Sequence, residues 1–289
     1  MMQRLAFFLL TVLLLNACTH LFFHPQSRLV RTPAQLNLAY EDIYFTAADA
    51  VRLHGWWLPT QTETVQGTVL FLHGNAENIS THIASVAWLP GNGFNVFLFD
   101  YRGYGLSQGT PDLAGLHQDI EAALATVKQR VGDSPNLIVF GQSLGASLAI
   151  TSVAVSAHRD LVRALVIDSA FTGYRDITQE KLASFWLTWA LQWPLSLGIN
   201  NTYRPLEAIT HLSPIPILII HGTADKTIPV HHAKRLYAAA REPKQLWLIP
   251  NQGHIQSLSR AEVRQRLLEY LIDFFSTEFT EHHRVTQRN

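Results

Sequence analysis

Ser143, Asp225 and His254 are the residues whose types and order along the chain could together perform nucleophilic chemistry. Ser143 lies at the centre of Gly-Gln-Ser-Leu-Gly, residues 141–145. An apolar run that predicts a strand precedes this pentapeptide, and a stretch without proline that predicts a helix follows it. Such a sharp turn exposes a serine hydroxyl above the end of a sheet, and the glycines beside it permit close contacts. We therefore predict Ser143 as a nucleophile, with an ordinary tight turn as the alternative.

A second glycine-x-serine-x-glycine pattern surrounds Ser107 and serves as an internal control. A glycine-rich loop precedes it and Thr110 and Pro111 follow it, so that neither a strand nor a helix flanks it directly. Because the turn from strand to helix is what exposes the hydroxyl, the flanking elements decide between the two patterns. We do not expect Ser107 to be the nucleophile.

A serine hydroxyl is a poor nucleophile near neutral pH and needs a neighbouring base. The chain has fourteen histidines, so position must select among them. His254 lies in a polar loop after the last predicted strand, at the carboxyl end of a strand, where α/β sheets gather their ligands. His73 also ends a strand, but it precedes Ser143, and enzymes with this turn have the order serine, acid, histidine. We predict His254 as the base.

The acid should orient His254 and stabilise its imidazolium form. Asp225 follows a predicted strand and lies between the serine and the histidine in the chain, and we predict it as the acid. Asp168, after the preceding strand, is the alternative acid. Two further aspartates come before the serine and fail the required order: Asp100 and Asp119.

Acyl transfer also needs donors for the negative oxygen that develops on the substrate. One predicted donor is the backbone N–H of Leu144, directly after the nucleophile. The other should come from residues 73–76, His-Gly-Asn-Ala, where Gly74 allows a close backbone approach. We predict the N–H of Asn75 as this donor, with Ala76 as the alternative.

Elements that would position these groups alternate between strand-like and helix-like patterns, which predicts helices on both faces of a mostly parallel sheet. About eight strands are expected, with an opening hairpin at 39–46 and 51–58, and further strands at 68–72, 95–99, 136–140, 164–167, 217–220 and 245–249. Helices are expected at 111–130, 143–157, 231–240 and 261–275, the first of them capped by Thr110 with Pro111 at its first position.

One long segment, residues 172–214, interrupts this alternation and is predicted to be a cap or lid inserted between two strands. It carries Trp186, Trp189 and Trp193 at helical spacing. Two interpretations remain open. The tryptophans belong to a helix packed on the body, or they form a lid face that lines an acyl pocket or contacts lipid headgroups.

Five motifs in order identify a resemblance: residues 73–76, Asp-Tyr-Arg-Gly-Tyr-Gly at 100–105, residues 141–145, Asp225 and Gly253-His254. Together they resemble the α/β-hydrolase superfamily, in particular small bacterial hydrolases, often membrane-associated, near serine aminopeptidases and monoacylglycerol lipases. The resemblance covers about 39–275. It implies the α/β-hydrolase fold over residues 39–278 with a short helical lid, a tail at 279–289, and a structural role for 100–105.

The resemblance implies hydrolysis through an acyl-enzyme, and the apolar lid favours a carboxylic ester or thioester. A peptidase or amidase using the same triad and a non-catalytic binding protein on the same fold are the alternatives. Metal-dependent chemistry around His221, His231 and His232 is a further hypothesis, but no helix-borne glutamate with ligand spacing accompanies them, and the adjacent pair is expected to be solvated. We expect no cofactor and no metal.

The N-terminus has the pattern of an export signal at residues 1–17, with Arg4 before an apolar run at 5–15 that is too short to span a bilayer. Residues 15–18, Leu-Asn-Ala-Cys, resemble the lipobox of bacterial lipoproteins, which implies lipidation at Cys18 and a membrane tether over 18–38. We expect a lipid-anchored protein of the bacterial cell envelope, at the outer membrane or periplasmic face, with an uncleaved inner-membrane signal anchor as the alternative.

The equal numbers of basic and acidic residues limit the kinds of molecule that the protein is expected to bind. The 289 residues carry 22 basic and 22 acidic side chains, which gives no electrostatic footprint for nucleic acid. Cys18 is the single cysteine, so no disulfide can form within the chain. We expect a small acyl substrate and a membrane as partners, and no nucleic acid; the sequence leaves the oligomeric state open.

Overall fold

The computed structural model describes residues 23–132, 136–184, 186–197, 199 and 201–273. The predicted export signal and lipidation at Cys18, and the tail at 279–289, lie outside these residues. The described chain forms one eight-stranded sheet and a separate two-stranded pair. The strands are β1 His24–Pro25, β2 Glu41–Thr46, β3 Arg52–Leu58, β4 Gly67–Leu72, β5 Ala76–Glu77, β6 Phe94–Asp100, β7 Leu137–Gln142, β8 Val162–Asp168, β9 Ile217–Gly222 and β10 Lys244–Ile249.

The large sheet has the strand order β10-β9-β8-β7-β4-β6-β3-β2. β2 and β3 form the predicted antiparallel hairpin, and β3 is antiparallel to β6. The remaining neighbours, from β6 through β10, are parallel. The prediction of a mostly parallel, eight-stranded sheet is therefore confirmed. The small pair, β1 with β5, was not predicted from the sequence.

Helices cover both faces of the sheet, as predicted. They are α1 Ile79–His82, α2 Leu113–Val131, α3 Leu144–Val155, α4 Tyr174–Ser184, α5 Gln192–Leu197, α6 Pro205–Ala208, α7 His231–Ala239 and α8 Ala261–Asp273. α2, α3 and α7 contribute to the core on one face, and α1 and α8 contribute to the core on the other.

The central strands are buried on both sides, which explains why their sequences are continuous apolar runs. Successive side chains of a strand point to opposite faces. In β4, Leu70 and Leu72 therefore join the core beneath α2 and α3, whereas Val69 and Phe71 join the core beneath α8. α3 lies against the sheet with all its residues from Leu144 to Val153 buried. Ser143 is thus attached to a helix in which ten of twelve residues are buried.

The first long helix begins two residues later than the sequence predicted. α2 starts at Leu113, and its N-cap is Asp112, whose side chain accepts a hydrogen bond from the N–H of Gly115 at 3.0 Å. Thr110 and Pro111 therefore do not cap the helix. Both aspartate and threonine are good caps, and the choice depends on the turn that precedes them rather than on propensity.

The segment 172–214 contains α4, α5 and α6, and it connects the carboxyl end of β8 to the amino end of β9. The three tryptophans do not share one helix: α4 ends before them, a 3-10 turn spans Trp189–Leu191, and α5 follows. All three are exposed, so the interpretation that they pack on the body is wrong. Whether this segment moves as a lid stays a prediction. No helix within the described ranges has the length and apolar character needed to cross a bilayer.

Candidate active site

The turn between β7 and α3 holds Ser143 in a strained backbone conformation, with φ 55° and ψ −115°. A non-glycine residue at positive φ costs free energy and is maintained only by its surroundings. The surrounding backbone leaves no room for side chains at positions 141 and 145. A Cβ at Gly145 would lie 2.1 Å from the carbonyl oxygen of Leu72, and a Cβ at Gly141 would lie 2.3 Å from that of Gly145. The glycines of the motif are therefore required by packing.

The structure brings the three predicted residues together in hydrogen-bond contact. His254 Nε2 lies 2.9 Å from Ser143 Oγ, and His254 Nδ1 lies 2.8 Å from Asp225 Oδ2. The carboxylate can only accept, so Nδ1 carries the proton and donates it to Asp225. Nε2 of the neutral ring is then the acceptor for the Ser143 hydroxyl. This is the tautomer that a general base requires.

Asp225 is fixed at both oxygens. Oδ1 accepts the backbone N–H groups of Thr227 at 2.7 Å and Ile228 at 2.8 Å, which leaves Oδ2 for His254. Burial opposes the ionised form, but the hydrogen bonds from His254, Ile228 and Thr227 outweigh it and hold the pKa of Asp225 below its usual value. His221 supports the same loop, because its Nε2–H donates to the carbonyl of Ile228 at 2.8 Å.

Three side chains hold the loop after β4 by its carbonyl groups. Tyr101 Oη donates to the carbonyl of His73 at 3.0 Å, and Tyr104 Oη donates to that of Asn75 at 2.8 Å. His82 Nε2 lies 3.0 Å from the carbonyl oxygen of Ala76 and donates to it. With these carbonyls engaged, the peptide planes of the loop are fixed in orientation.

This loop lies beside the nucleophile, since a Cβ at Gly74 would be 3.7 Å from the Cβ of Ser143. Leu144 is the first residue of α3, where backbone N–H groups have no partner within the helix. The assignment of the Leu144 and Asn75 N–H groups as oxyanion donors stays a prediction. The tyrosines belong to the motif at 100–105, and their direct contact with the loop had no local signal in the sequence.

Asp168, the alternative acid, is engaged elsewhere. Its Oδ2 accepts from Gln142 Nε2 at 2.9 Å and its Oδ1 accepts from Ser169 Oγ at 3.1 Å. Burial raises its pKa to about 6 despite these two bonds. The hydrogen bond to the histidine belongs to Asp225, so the geometry favours Asp225 over Asp168 as the acid.

The other rejected residues have structural partners. Ser107 is buried, donates to the carbonyl of Asp100 at 2.6 Å and accepts the N–H of His54 at 2.9 Å. Asp119 is buried and binds the Arg102 guanidinium, with 2.8 Å between Oδ1 and Nη2. The polar atoms of both side chains are therefore engaged by contacts within the fold.

His73 and Asp100 form a buried pair beneath the loop, with Nε2 of the ring 3.6 Å from Oδ1 of the carboxyl. His73 Nδ1–H donates to the carbonyl of Gly74 at 2.7 Å, so its Nε2 carries no proton in the neutral ring. Burial lowers the pKa of His73 and raises the pKa of Asp100 to about 8. Both groups are therefore neutral at pH 7.

The adjacent histidines differ from the expectation of a solvated pair. His232 is fully buried, and both rings bind Glu180 of α4, with 3.1 Å from each Nε2 to a carboxylate oxygen. His221 lies apart from them in the Asp225 loop. The N–H of Thr172 donates to Nδ1 of His232, so Nε2 of that ring carries the proton and donates to Glu180. The ring is thus satisfied as a donor, and this contact joins the cap segment to α7.

The sheet topology, the strained serine turn and the hydrogen-bonded Ser–His–Asp arrangement define an α/β-hydrolase. The sequence matches the family described as serine aminopeptidase, S33, over residues 63–211, and the chain belongs to this family. It is therefore a hydrolase, and the resemblance inferred from the motifs is confirmed.

Relatives are similar over most of the chain. The uncharacterized protein YfhR of Escherichia coli K12 is 38% identical over 240 residues, which cover 80% of each chain. The α/β hydrolase domain-containing protein WAV2 of Arabidopsis thaliana is 34% identical over 245 residues, 80% of this chain and 78% of that one. Among solved structures, the Pyrococcus furiosus esterase Pf2001 superposes with a TM-score of 0.68 at 23% identity, covering 87% of this chain and 97% of that one. At this identity the likeness shows the fold alone.

Proposed function

We propose that this chain is a serine hydrolase that cleaves a carboxylic ester or thioester through an acyl-enzyme intermediate. One observation carries the proposal: the continuous hydrogen-bond path from Ser143 Oγ through His254 to Asp225, with links of 2.9 and 2.8 Å. A serine bonded to a base in the correct tautomer, which is in turn bonded to a carboxylate, is the arrangement that nucleophilic catalysis requires.

In the first half of the reaction, Ser143 Oγ attacks the carbonyl carbon of the substrate while its proton passes to His254 Nε2. The negative carbonyl oxygen of the intermediate is stabilised by the N–H groups of Leu144 and Asn75. Asp225 stays ionised and stabilises the imidazolium, as its lowered pKa favours. Nε2–H then protonates the leaving alcohol or thiol, and the acyl group remains on Ser143.

The second half repeats these roles with water. His254 takes a proton from a water molecule, the hydroxide oxygen attacks the acyl carbon, and the proton returns to Ser143 Oγ as the acid departs. Because an alcohol or thiol leaves more readily than an amine, an ester needs less assistance from the general acid than a peptide. The same residues serve both reactions, so the class of substrate depends on what surrounds them.

The charged groups of the cap favour an acyl ester over a peptide with a free amino terminus. A positively charged amine calls for an available carboxylate. In α4, Asp176 accepts from Thr172 Oγ1 at 2.9 Å and lies 3.5 Å from Arg235, and Glu180 binds two histidines. Both carboxylates are therefore already engaged by contacts within the chain. The family's description makes aminopeptidase activity the second candidate function.

Labelling with a fluorophosphonate tests the nucleophile. We expect the probe to label the wild-type protein and the Ser107→Ala variant, and to leave Ser143→Ala unlabelled. Ser107→Ala is the matched control because Ser107 lies in the other glycine-x-serine-x-glycine pattern of the chain. Equal labelling of wild type and Ser143→Ala contradicts the proposal.

A substrate panel tests the class of acyl group. p-Nitrophenyl esters of increasing chain length, thioesters and aminoacyl p-nitroanilides should be compared by kcat/KM with the same enzyme preparation. The proposal requires the esters or thioesters to be the better substrates. A preference for the anilides assigns the chain to the peptidase alternative.

For the location, we propose a tether to a membrane surface of the bacterial envelope through lipidated Cys18. Support comes from the sequence alone, in the apolar run at 5–15 and the lipobox-like residues before the cysteine. The mass of the native N-terminus tests this. A diacylated or triacylated Cys18 supports the tether, and an intact Met1 excludes lipidation and leaves the signal-anchor alternative.

A further inference from the structure

The cap segment exposes a cluster of large apolar side chains, which we call the cap surface. The exposed fractions of its tryptophans are 80% for Trp186, 62% for Trp189 and 65% for Trp193. The cap surface also includes exposed leucines at four positions: Leu187, Leu191, Leu195 and Leu197. Seven such side chains within twelve residues form a patch of a kind that soluble monomers rarely leave open to water.

The same stretch lacks charge. Residues 182–203 contain no acidic or basic side chain and no histidine, and the first charges on either side are Lys181 and Arg204. Lys181 Nζ is bound to the carbonyl of Lys226 at 3.1 Å, and Arg204 pairs with Glu207 at 2.9 Å. The cap surface therefore offers apolar and aromatic contact without an electrostatic field of its own.

The cap segment and β1 both lie near the carboxyl ends of the parallel strands. The described chain begins at Phe23 and continues into β1, which pairs with β5 a few residues beyond the carboxyl end of β4. The cap segment follows the carboxyl end of β8, and its Lys181 contacts the loop that carries Asp225. The proposed lipidation site, Cys18, therefore precedes by a few residues a strand at the same edge of the sheet as the cap and the active site.

We propose that the cap surface binds the interfacial region of a zwitterionic lipid bilayer. Tryptophan is enriched at membrane–water interfaces, where its ring contacts acyl chains and its N–H contacts the headgroup region. Because residues 182–203 carry no charged side chain, the cap surface does not need anionic lipid headgroups in order to bind. A lipidated Cys18, five residues before the described chain begins at Phe23, and the cap surface would give two attachments on one side of the molecule, with the active-site edge turned toward the lipid. The inference concerns binding and is independent of which bond Ser143 cleaves.

A second copy of the chain is the other occupant that could cover the cap surface. Protein interfaces combine an apolar centre with a polar and charged rim. The long uncharged stretch, and an edge shared with β1 a few residues after the proposed lipid anchor, favour the bilayer over a second copy. The two occupants give different results in the test below.

The experiment measures tryptophan fluorescence of the full chain reconstituted in phosphatidylcholine vesicles, with and without dibrominated phosphatidylcholine as a contact quencher. The chain has seven tryptophans, of which three are in the cap surface. We expect strong quenching in the wild type. The triple variant Trp186→Phe, Trp189→Phe and Trp193→Phe should lose most of the quenching, because the remaining tryptophans do not contact lipid.

Trp88→Phe is the matched control. Trp88 precedes Pro90–Asn92, and the carbonyl of Leu89 accepts the N–H of Phe94 at the start of β6, so this tryptophan lies at the opposite, amino edge of the parallel strands. Quenching in this variant should equal that of the wild type. Weak quenching in the wild type, or equal quenching in wild type and triple variant, overturns the proposal. Weak quenching together with a dimer in sedimentation that the triple variant lacks assigns the cap surface to a second copy.

Discussion

Replacing Asp225 with asparagine should reverse the hydrogen bonding of His254. The side-chain oxygen of the new amide would keep the backbone N–H groups of Thr227 and Ile228, which bind Asp225 Oδ1 at 2.7 and 2.8 Å. The NH2 group of the amide would then face Nδ1 of His254 and donate to it. The ring must respond by moving its proton to Nε2, where it points at Ser143 and cannot act as a base.

In this variant, His254 could keep its proton on Nδ1 only if the new amide rotated so that its oxygen faced the ring. Rotation would leave the buried N–H of Ile228 and the more exposed N–H of Thr227 facing an NH2 group, at a cost of about 2–5 kcal/mol. At about 1.4 kcal/mol per factor of ten, this predicts a roughly 30-fold to 4,000-fold loss in kcat/KM. The missing negative charge beside the imidazolium adds to the loss.

The assay is steady-state hydrolysis of a p-nitrophenyl ester, together with the rate of fluorophosphonate labelling. Asp168→Asn is the matched control. Gln142 and Ser169 each donate a hydrogen bond to this carboxyl. The oxygen of the new amide can accept the bond from Gln142, and its NH2 group can donate to the hydroxyl of Ser169. The control should retain activity within about tenfold of wild type. The reasoning is refuted if Asp225→Asn stays within that range, or if Asp168→Asn is the more damaging change.

Three further predictions follow from the packing around the site. Gly145→Ala should abolish labelling and lower the unfolding midpoint, since its Cβ would lie 2.1 Å from the carbonyl oxygen of Leu72. Tyr104→Phe should lower kcat by about fivefold with little change in KM, because the loop of Asn75 loses a hydrogen bond worth about 1 kcal/mol. Asp100→Asn should remove one contribution to the pH dependence of stability, measured by urea unfolding. The pKa of Asp100 is raised to about 8 in the folded chain. Between about pH 4 and pH 8 the unfolded chain therefore releases this proton and the folded chain keeps it. In this window the Asp100 contribution to the unfolding free energy falls with pH by up to about 1.4 kcal/mol per unit, so the slope of the variant should be less negative, or more positive, than that of the wild type.

A different result would contradict each of these three predictions. An active Gly145→Ala enzyme would mean that the turn can widen without moving the nucleophile. A Tyr104→Phe enzyme with a raised KM and unchanged kcat would place the tyrosine in substrate binding instead of loop positioning. An Asp100→Asn variant with the wild-type pH slope would assign that slope to other groups.

The catalytic arrangement could be inferred from the sequence because its signals are local. Ser143 follows an apolar run and precedes a helix, and both flanks are visible in the residues directly around it. Asp225 and His254 each follow a strand, and parallel strands place their carboxyl ends at one edge. The inner strands were recognisable for the same reason, because strands that are buried on both faces have continuous apolar sequences, whereas the edge strands β2 and β10 keep exposed positions.

What the sequence did not reveal depends on contacts between distant segments. The pairing of β1 with β5 joins segments far apart in the chain, and strands of two residues have no periodicity. Glu180 meets His231 and His232 across a similarly long separation, so the expectation of a solvated pair was wrong for the buried His232, whereas His231 is exposed. The helical spacing of the cap tryptophans indicated one helix, but the chain forms a 3-10 turn and a six-residue helix there instead.

The three triad residues follow three different strands, and the base follows the last of them, β10. A chain emerging from a ribosome or a translocation pore therefore displays its serine long before it owns a proton acceptor for it. Under the proposed mechanism such a partial chain is inactive. Turnover requires that β10 has joined the sheet, so activity would report that the last strand is in place.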